Sequence, residues 1–313
     1  MNNKKNNVIK TISAILLLSR IDISALGGSL FFLGEWFSDK VPPLSVSLPG
    51  LFSLVFILSG GSILNMVYDK NLDVYAGKAG ALNFLYVSSK KLKLLSFFVF
   101  VVALFMLWCI GWQPLITGIL LVITCITYSV PPFRFKTLPI LDCMCNGIGG
   151  GMLPFLLGWA TSARIELSSY IYSVIFGLLI LSYYVISELF DIETDRKYGL
   201  KKTSVKLGVK GSIALAITIY FLSLFLVCLF FGFRFFWLIS FAIFGCPIFC
   251  SIIFYNSLPF LRRLLGAVFI YLTIFLPTYL FITKPNLPII IVPPIILSYI
   301  FFVHSLKSNF YLP

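Results

Sequence analysis

Two short polar segments interrupt long apolar runs and hold six of the chain's eleven acidic residues: Asn65-Met-Val-Tyr-Asp69-Lys-Asn-Leu-Asp73 and Glu188-Leu-Phe-Asp191-Ile-Glu-Thr-Asp195. Asn65, Asp69 and Asp73 are spaced i, i+4, i+8, which on a helix stacks them on one face with neighbours about 5–6 Å apart. Glu188, Asp191 and Asp195, at i, i+3, i+7, form a second stripe, and Glu193 points elsewhere. Carboxylates this close raise one another's pKa and resist joint ionisation unless a cation offsets the repulsion. With only oxygen donors and no His or Cys, the two segments predict a Mg²⁺ site, with Mn²⁺ as an alternative, and Mg²⁺ usually shares its shell with waters and substrate phosphates. A single acid at a helix end ordinarily just faces water. Two short segments holding more than half of the acids in an apolar chain point instead to a charged ligand.

The elements that carry these stripes are membrane helices. Of the 313 residues, 59% are hydrophobic and 11% charged, and mean hydropathy is +1.01, a composition outside the range of soluble domains. Ten apolar stretches are long enough to cross about 30 Å of hydrocarbon, near 11–37, 46–68, 94–111, 113–130, 140–161, 168–190, 211–232, 235–256, 264–283 and 288–307. The last two are rich in proline, so one of them is a candidate re-entrant or broken helix. The first is no cleavable signal peptide, because Arg20 and Asp22 interrupt it. With the N-terminus inside, the inner side carries nineteen basic residues against four on the outer side, Lys40, Arg164, Arg234 and Lys284. That asymmetry predicts that both acidic segments face the cytoplasm. The formal charge of +13 is scattered over inner loops, which fits topology and contact with anionic membrane lipids and excludes a nucleic-acid-binding stripe. The seven cysteines lie mostly in apolar runs, Cys143 and Cys145 lack CxxC spacing, and no redox or zinc role follows. The chain reads as one membrane-embedded domain over 1–313, with half-bundles at about 11–130 and 140–307.

The two segments resemble the signatures of the UbiA superfamily of intramembrane prenyltransferases. Asn65, Asp69 and Asp73 match NxxxDxxxD, and Asp191-Ile-Glu-Thr-Asp195-Arg-Lys-Tyr-Gly199 matches DxxxD followed by a basic stretch and Gly. Between them, Tyr128-Ser-Val-Pro-Pro-Phe-Arg134-Phe-Lys136 is similar to the family's YxxPPxRxK loop. The resemblance runs from about Arg20 to Gly208. It implies an all-α polytopic bundle, usually of nine transmembrane helices, around a central cavity with the aspartates at its cytoplasmic mouth. It also implies Mg²⁺-dependent transfer of a prenyl group from a polyprenyl diphosphate to a lipophilic acceptor, with Asp69, Asp73, Asp191 and Asp195 catalytic and Asn65 and Glu188 joining them around the metal.

Ionisation of an allylic diphosphate needs cations for the charge that develops on the leaving group. Arg134 and Lys136 are the first candidates. Arg20, isolated in an apolar run, is a diphosphate contact, a structural partner of Asp22 or a side chain that snorkels to the interface. Tyr128 and Lys197 complete the substrate-binding set, while Lys78, Lys201 and Lys202 are weaker candidates because loop lysines are usually solvated. Asp142 and Asn146, one turn apart, fit either acceptor contact or helix–helix hydrogen bonding. Tyr68, Phe155, Trp159, Tyr183 and Tyr184 lie on spans expected to line a dry, aromatic chamber for a carbocation.

The stretch just after the first signature constrains the acceptor. Family members that prenylate aromatic acids often carry an Arg-Pro-containing basic segment there, whereas Val74-Tyr-Ala-Gly-Lys-Ala-Gly-Ala-Leu-Asn-Phe-Leu has one lysine and no arginine. A neutral lipid, a quinone precursor or a carotenoid-like polyene fits better, and the inner loops resemble the carotenoid-elongating branch. The same ionisation chemistry would serve a terpene cyclase or a prenyl diphosphate hydrolase. A cation transporter would place acids at mid-membrane depth, while these sit at span ends.

Overall fold

A computed structural model describes residues 14–15, 18–75, 87–231, 245–246, 248–253, 258–270 and 276–283. All regular elements among them are helical. In chain order they are α1 (Ile21–Phe37), α2 (Leu44–Tyr75), α3 (Ser89–Ile110), α4 (Trp112–Ser129), α5 (Leu141–Gly147), α6 (Leu153–Ser162), α7 (Leu167–Ser187), α8 (Ile192–Lys197), α9 (Thr203–Phe231), α10 (Leu258–Ile270) and α11 (Leu276–Thr283). Among the described residues, five apolar helical stretches are long enough to cross a bilayer, Leu44–Leu72, Ser89–Ile110, Trp112–Ser129, Leu167–Phe190 and Thr203–Phe230. They coincide with five of the ten predicted spans. The stretch predicted at 140–161 is helical from Leu141 to Ser162, with a π turn at Ile148–Met152 between α5 and α6. The span predicted at 288–307 lies outside the described residues, as does most of 235–256.

Lipid tails are as apolar as leucine, so close packing rather than water exclusion holds such helices together, and small residues mark the tightest crossings. α1 crosses α6 where Gly34 lies on the carbonyl of Phe155 and Gly158 on that of Phe31. A Cβ at either position would overlap backbone that has no room to move. At the same end, the buried Glu35 carboxylate accepts hydrogen bonds from Ser47 Oγ (3.0 Å) and Thr161 Oγ1 (3.2 Å), tying α1, α2 and α6 together. Phe37, Phe155, Trp159, Tyr172 and Phe176 form a packed aromatic cluster beside it. Gly151 packs on Gly177, which brings the π-turn segment against α7.

The polar elements gather at the other end, where α2, α4 and α7 finish. After α4 the chain leaves in an extended conformation at Val130, and Arg134 adopts a left-handed backbone (φ 42°) before a 3-10 turn at Phe135–Thr137 turns Lys136 inward. After α7, a 3-10 turn at Glu188–Phe190 leads into the short α8. Gly199, at φ 78°, ends α8 and lets the Leu200 amide bond back to the Asp195 carbonyl at 2.9 Å, a Schellman-type closure. That reversal delivers Lys202 back over the second acidic stripe.

Candidate active site

Side chains from α2, α4, the Phe135–Thr137 turn, α7, α8 and the loop before α9 enclose a cavity of about 420 Å³. The structure brings Arg20, Asn65, Asp69, Tyr128, Arg134, Lys136, Glu188, Asp191 and Asp195 to its wall, together with Lys202 and Tyr184. The Asp73 backbone continues α2 beyond Asp69, and its side chain lies outside the described residues, as do the Asp22 side chain and all of Lys78.

On the first stripe, Lys136 Nζ lies 2.7 Å from Asp69 Oδ2 and donates to Asn65 Oδ1 at 2.6 Å. Ser129 Oγ donates to the same Asn65 oxygen at 3.2 Å. Arg134 Nη2 meets Asp69 Oδ1 at 3.1 Å and the Tyr68 carbonyl at 3.3 Å. Burial lowers the Lys136 ammonium to about 8, against the opposing pull of Asp69. On the second stripe, Lys202 Nζ bridges Glu188 Oε1 (3.1 Å) and Asp195 Oδ2 (2.8 Å). Burial works against the Lys202 charge, but Glu188 and Asp195 outweigh it and hold the ammonium above its ordinary range. Tyr184 OH donates to Glu188 Oε1 at 2.6 Å and pairs with Tyr128 OH at 3.1 Å, while Ser204 Oγ donates to Glu188 Oε2 at 3.0 Å. Asp195 Oδ2 is buried and, although Lys202 is near, has no partner in hydrogen-bonding geometry; the Arg134 Nε–H is likewise buried without one.

Some expected site residues stand apart. Lys197 is exposed on α8 and does not line the cavity, because one helical turn carries the basic stretch of the signature away from it; Glu193, expected to point elsewhere, is exposed on the same helix. Asp142 is fully buried and occupied: it accepts from Thr203 N (2.8 Å), from Thr203 Oγ1 and from Cys143 N (2.8 Å). It therefore fastens the start of α9, next to Lys202, to α5, and of the two roles that its sequence allows, the structure gives it the hydrogen-bonding one. Asn146 donates to the Asp142 carbonyl (2.8 Å) and lines a second chamber. Phe155 and Trp159 belong to the aromatic cluster at the far end rather than to the chamber, and Tyr183 OH bonds the Leu265 carbonyl at 2.8 Å. Sequence reasoning ranks Lys202 low as a loop lysine and misses the closure at Gly199 that buries it.

The second chamber, of about 350 Å³, shares Arg20, Asn65, Tyr128, Tyr184 and Ser187 with the first. Gly149 and Gly150 of the π turn form part of its wall, with Leu58, Ile23 and Cys125. Among the described residues its wall has no acid and Arg20 as its one base.

The family model for the UbiA prenyltransferase family matches residues 28–263. The chain belongs to the UbiA prenyltransferase family. Its fold is shared by a UbiA homologue from Archaeoglobus fulgidus bound to GPP and Mg²⁺, with a TM-score of 0.67 at 18% identity over 83% of this chain and 96% of that one. An apo UbiA homologue from Aeropyrum pernix K1 gives 0.67 at 19% identity, over 81% and 96%. Among curated relatives, a lycopene elongase/hydratase of Haloferax volcanii is 38% identical over 85 residues, covering 26% of this chain and 27% of that protein. A 2-acylphloroglucinol 4-prenyltransferase of Humulus lupulus is 31% identical over 107 residues, 31% of this chain and 26% of that protein. The matched stretch thus spans about a quarter of each curated relative's length. As in other UbiA members, the bundle is a multi-pass membrane fold.

Proposed function

We propose that the protein transfers a prenyl group from a polyprenyl diphosphate to an uncharged, lipophilic acceptor, with Mg²⁺ held between the acidic stripes and the diphosphate. The observation that carries this is the pairing of a polar, ion-rich cavity with an adjoining chamber that is nearly free of charge. The described wall of the cavity holds four acids, Asp69, Glu188, Asp191 and Asp195, and four bases, Arg20, Arg134, Lys136 and Lys202. A cavity so balanced does not accept a diphosphate with its roughly three negative charges unless cations enter with it. Among the described residues no three acidic, His or Cys side chains converge closely enough to hold a metal on their own. That fits Mg²⁺, which takes part of its shell from phosphate oxygens, and Asp195 Oδ2, here 2.8 Å from the Lys202 ammonium, would be a suitable ligand atom. Asp69, Asp73, Asp191 and Asp195, with Asn65 and Glu188 beside them, are the residues that would hold it. When bound, the metal supplies Lewis-acid stabilisation of the departing diphosphate.

The chain's own residues supply the rest. Arg134 and Lys136, here engaged with Asp69, and Lys202, engaged with Glu188 and Asp195, are the cations that would turn to the phosphate oxygens of a bound diphosphate. The bond between the allylic carbon and the diphosphate oxygen breaks, and the cation is left facing the second chamber, away from bulk water. The acceptor's electron pair forms the new bond to carbon, and loss of a proton restores its neutrality. The near-absence of charge on the chamber wall disfavours an aromatic acid, and the match to lycopene elongases supports a polyene. The polar loops face the cytoplasm in this reading, as the basic residues predict. Purified protein incubated with labelled prenyl diphosphate and either lycopene or 4-hydroxybenzoate tests this. A larger labelled polyene is expected; label only in released alcohol or cyclic hydrocarbon would replace transfer with hydrolysis or cyclisation.

A further inference from the structure

The end of the bundle remote from the carboxylates holds a cavity of about 610 Å³ that the proposed chemistry does not use. α4 begins at it with Trp112 and ends, seventeen residues later, at Ser129 on Asn65, a rise of roughly 25 Å. Lys40, from the turn between α1 and α2, and Arg164, from the connection between α6 and α7, both line this cavity. These are two of the four basic residues that the positive-inside pattern leaves on this side, brought together from loops more than a hundred residues apart in sequence. Neither makes an ion pair with a described residue, and no acid among the described residues lines the cavity.

The surface leading from the cavity is apolar. Trp108 and Trp112 are 66% and 65% exposed, and Phe105 packs at 5.9 Å from Trp108, on the outward faces of α3 and α4. Tryptophan at the end of a span marks the headgroup level, and an apolar helix face below it lies among acyl chains. We propose that this cavity binds the phosphate of an anionic phospholipid, with Lys40 and Arg164 on the headgroup and the acyl chains against Trp108, Trp112 and Phe105. A soluble anion would have no use for the aromatic face, and a neutral lipid none for two unpaired cations.

The test uses the full chain in detergent, with thermal unfolding followed as phosphatidylglycerol, phosphatidylcholine or inorganic phosphate is added. Phosphatidylglycerol is expected to raise the midpoint and the other two to leave it in place. The double variant Lys40→Gln/Arg164→Gln is expected to need about thirtyfold more phosphatidylglycerol for the same shift. The charge-matched control Lys90→Gln/Lys91→Gln, exposed at the opposite end of α3, is expected to stay within twofold of the parent. Lys40→Arg/Arg164→Lys, which keeps both charges, is expected to retain binding. Equal losses in the two Gln double variants, equal stabilisation by phosphatidylcholine, or a matching effect of inorganic phosphate would each overturn the proposal.

Discussion

Replacing Lys202 with methionine separates the metal-site reading from a purely structural ion network. Lys202 Nζ is the one cation within 4 Å of Glu188 and Asp195 among the described residues, and the side chains are 15%, 4% and 3% exposed respectively. Methionine keeps the unbranched apolar stem of lysine and removes the ammonium, with its charge and its N–H donors. Breaking a buried pair by deleting one partner costs about 3–5 kcal/mol, because the remaining charge stays desolvated. Tyr184 and Ser204 still donate to Glu188, so the lower end, about 3 kcal/mol, is expected. If the two carboxylates form a cation site, Mg²⁺ can replace the lost charge, and its stabilisation follows RT ln(1 + [L]/Kd), about 2.7 kcal/mol at a hundredfold excess over Kd. The assay is thermal unfolding of the detergent-solubilised full chain with inorganic diphosphate present throughout, in chelator or in millimolar Mg²⁺, so that phosphate oxygens can complete the metal's shell. The variant should melt well below the parent in chelator and recover most of the difference in Mg²⁺, while the parent gains little. A variant as stable as the parent in chelator, or one that Mg²⁺ does not rescue, would refute the reasoning. Adding Asp195→Asn to Lys202→Met should remove part of the penalty, since the second charge no longer stays unpaired.

Arg134→Gln removes the guanidinium that the proposed reaction assigns to the leaving diphosphate, and a loss of about 3 kcal/mol in the transition state, roughly a hundredfold in turnover at saturating prenyl diphosphate, is expected; Lys136→Gln should fall less, because lysine lacks the bidentate fork. Turnover of Arg134→Gln within twofold of the parent would return this loop to a topological role. Asp69→Ala, Asp191→Ala and Asp195→Ala should each abolish most activity, and exhaustive chelation should do the same, whereas Glu193→Ala and Lys197→Ala, outside the cavity, should stay near the parent; equal losses at all five positions would show the cavity assignment to be wrong. Gly158→Ala places a methyl on the Phe31 carbonyl and is expected to destabilise the α1–α6 crossing by about 3 kcal/mol, read as a lower unfolding midpoint; an unchanged midpoint would show that the helices can separate there.

Much of this protein is legible without coordinates, because in lipid the rules are strict. Long apolar runs must be helical to satisfy their own backbone, and a carboxylate among them needs a partner. The helical nature of the chain follows from run length alone, and i, i+4 spacing puts Asn65 and Asp69 on one face of α2, whereas Glu188, Asp191 and Asp195 reach the cavity across a 3-10 turn and the start of α8 rather than along one helical face. Spacing on one helix says nothing of what faces it from another, and that is where the tertiary structure decides. Asp142 and Lys202 illustrate the difference. Both look like ordinary polar residues at element ends, and Asp142 is as suitable for acceptor contact as for packing. The left-handed turn at Gly199 folds the loop back, so Thr203 lands on Asp142 and Lys202 between Glu188 and Asp195. Lys197, just before that turn, stays on the exposed side of α8. The π turn at Ile148–Met152, which supplies Gly149 and Gly150 to the chamber wall, is hidden in the sequence because an apolar stretch reads alike whether its helix is regular or widened. Local sequence specifies which residues share a face; only the packing of several helices specifies which faces meet.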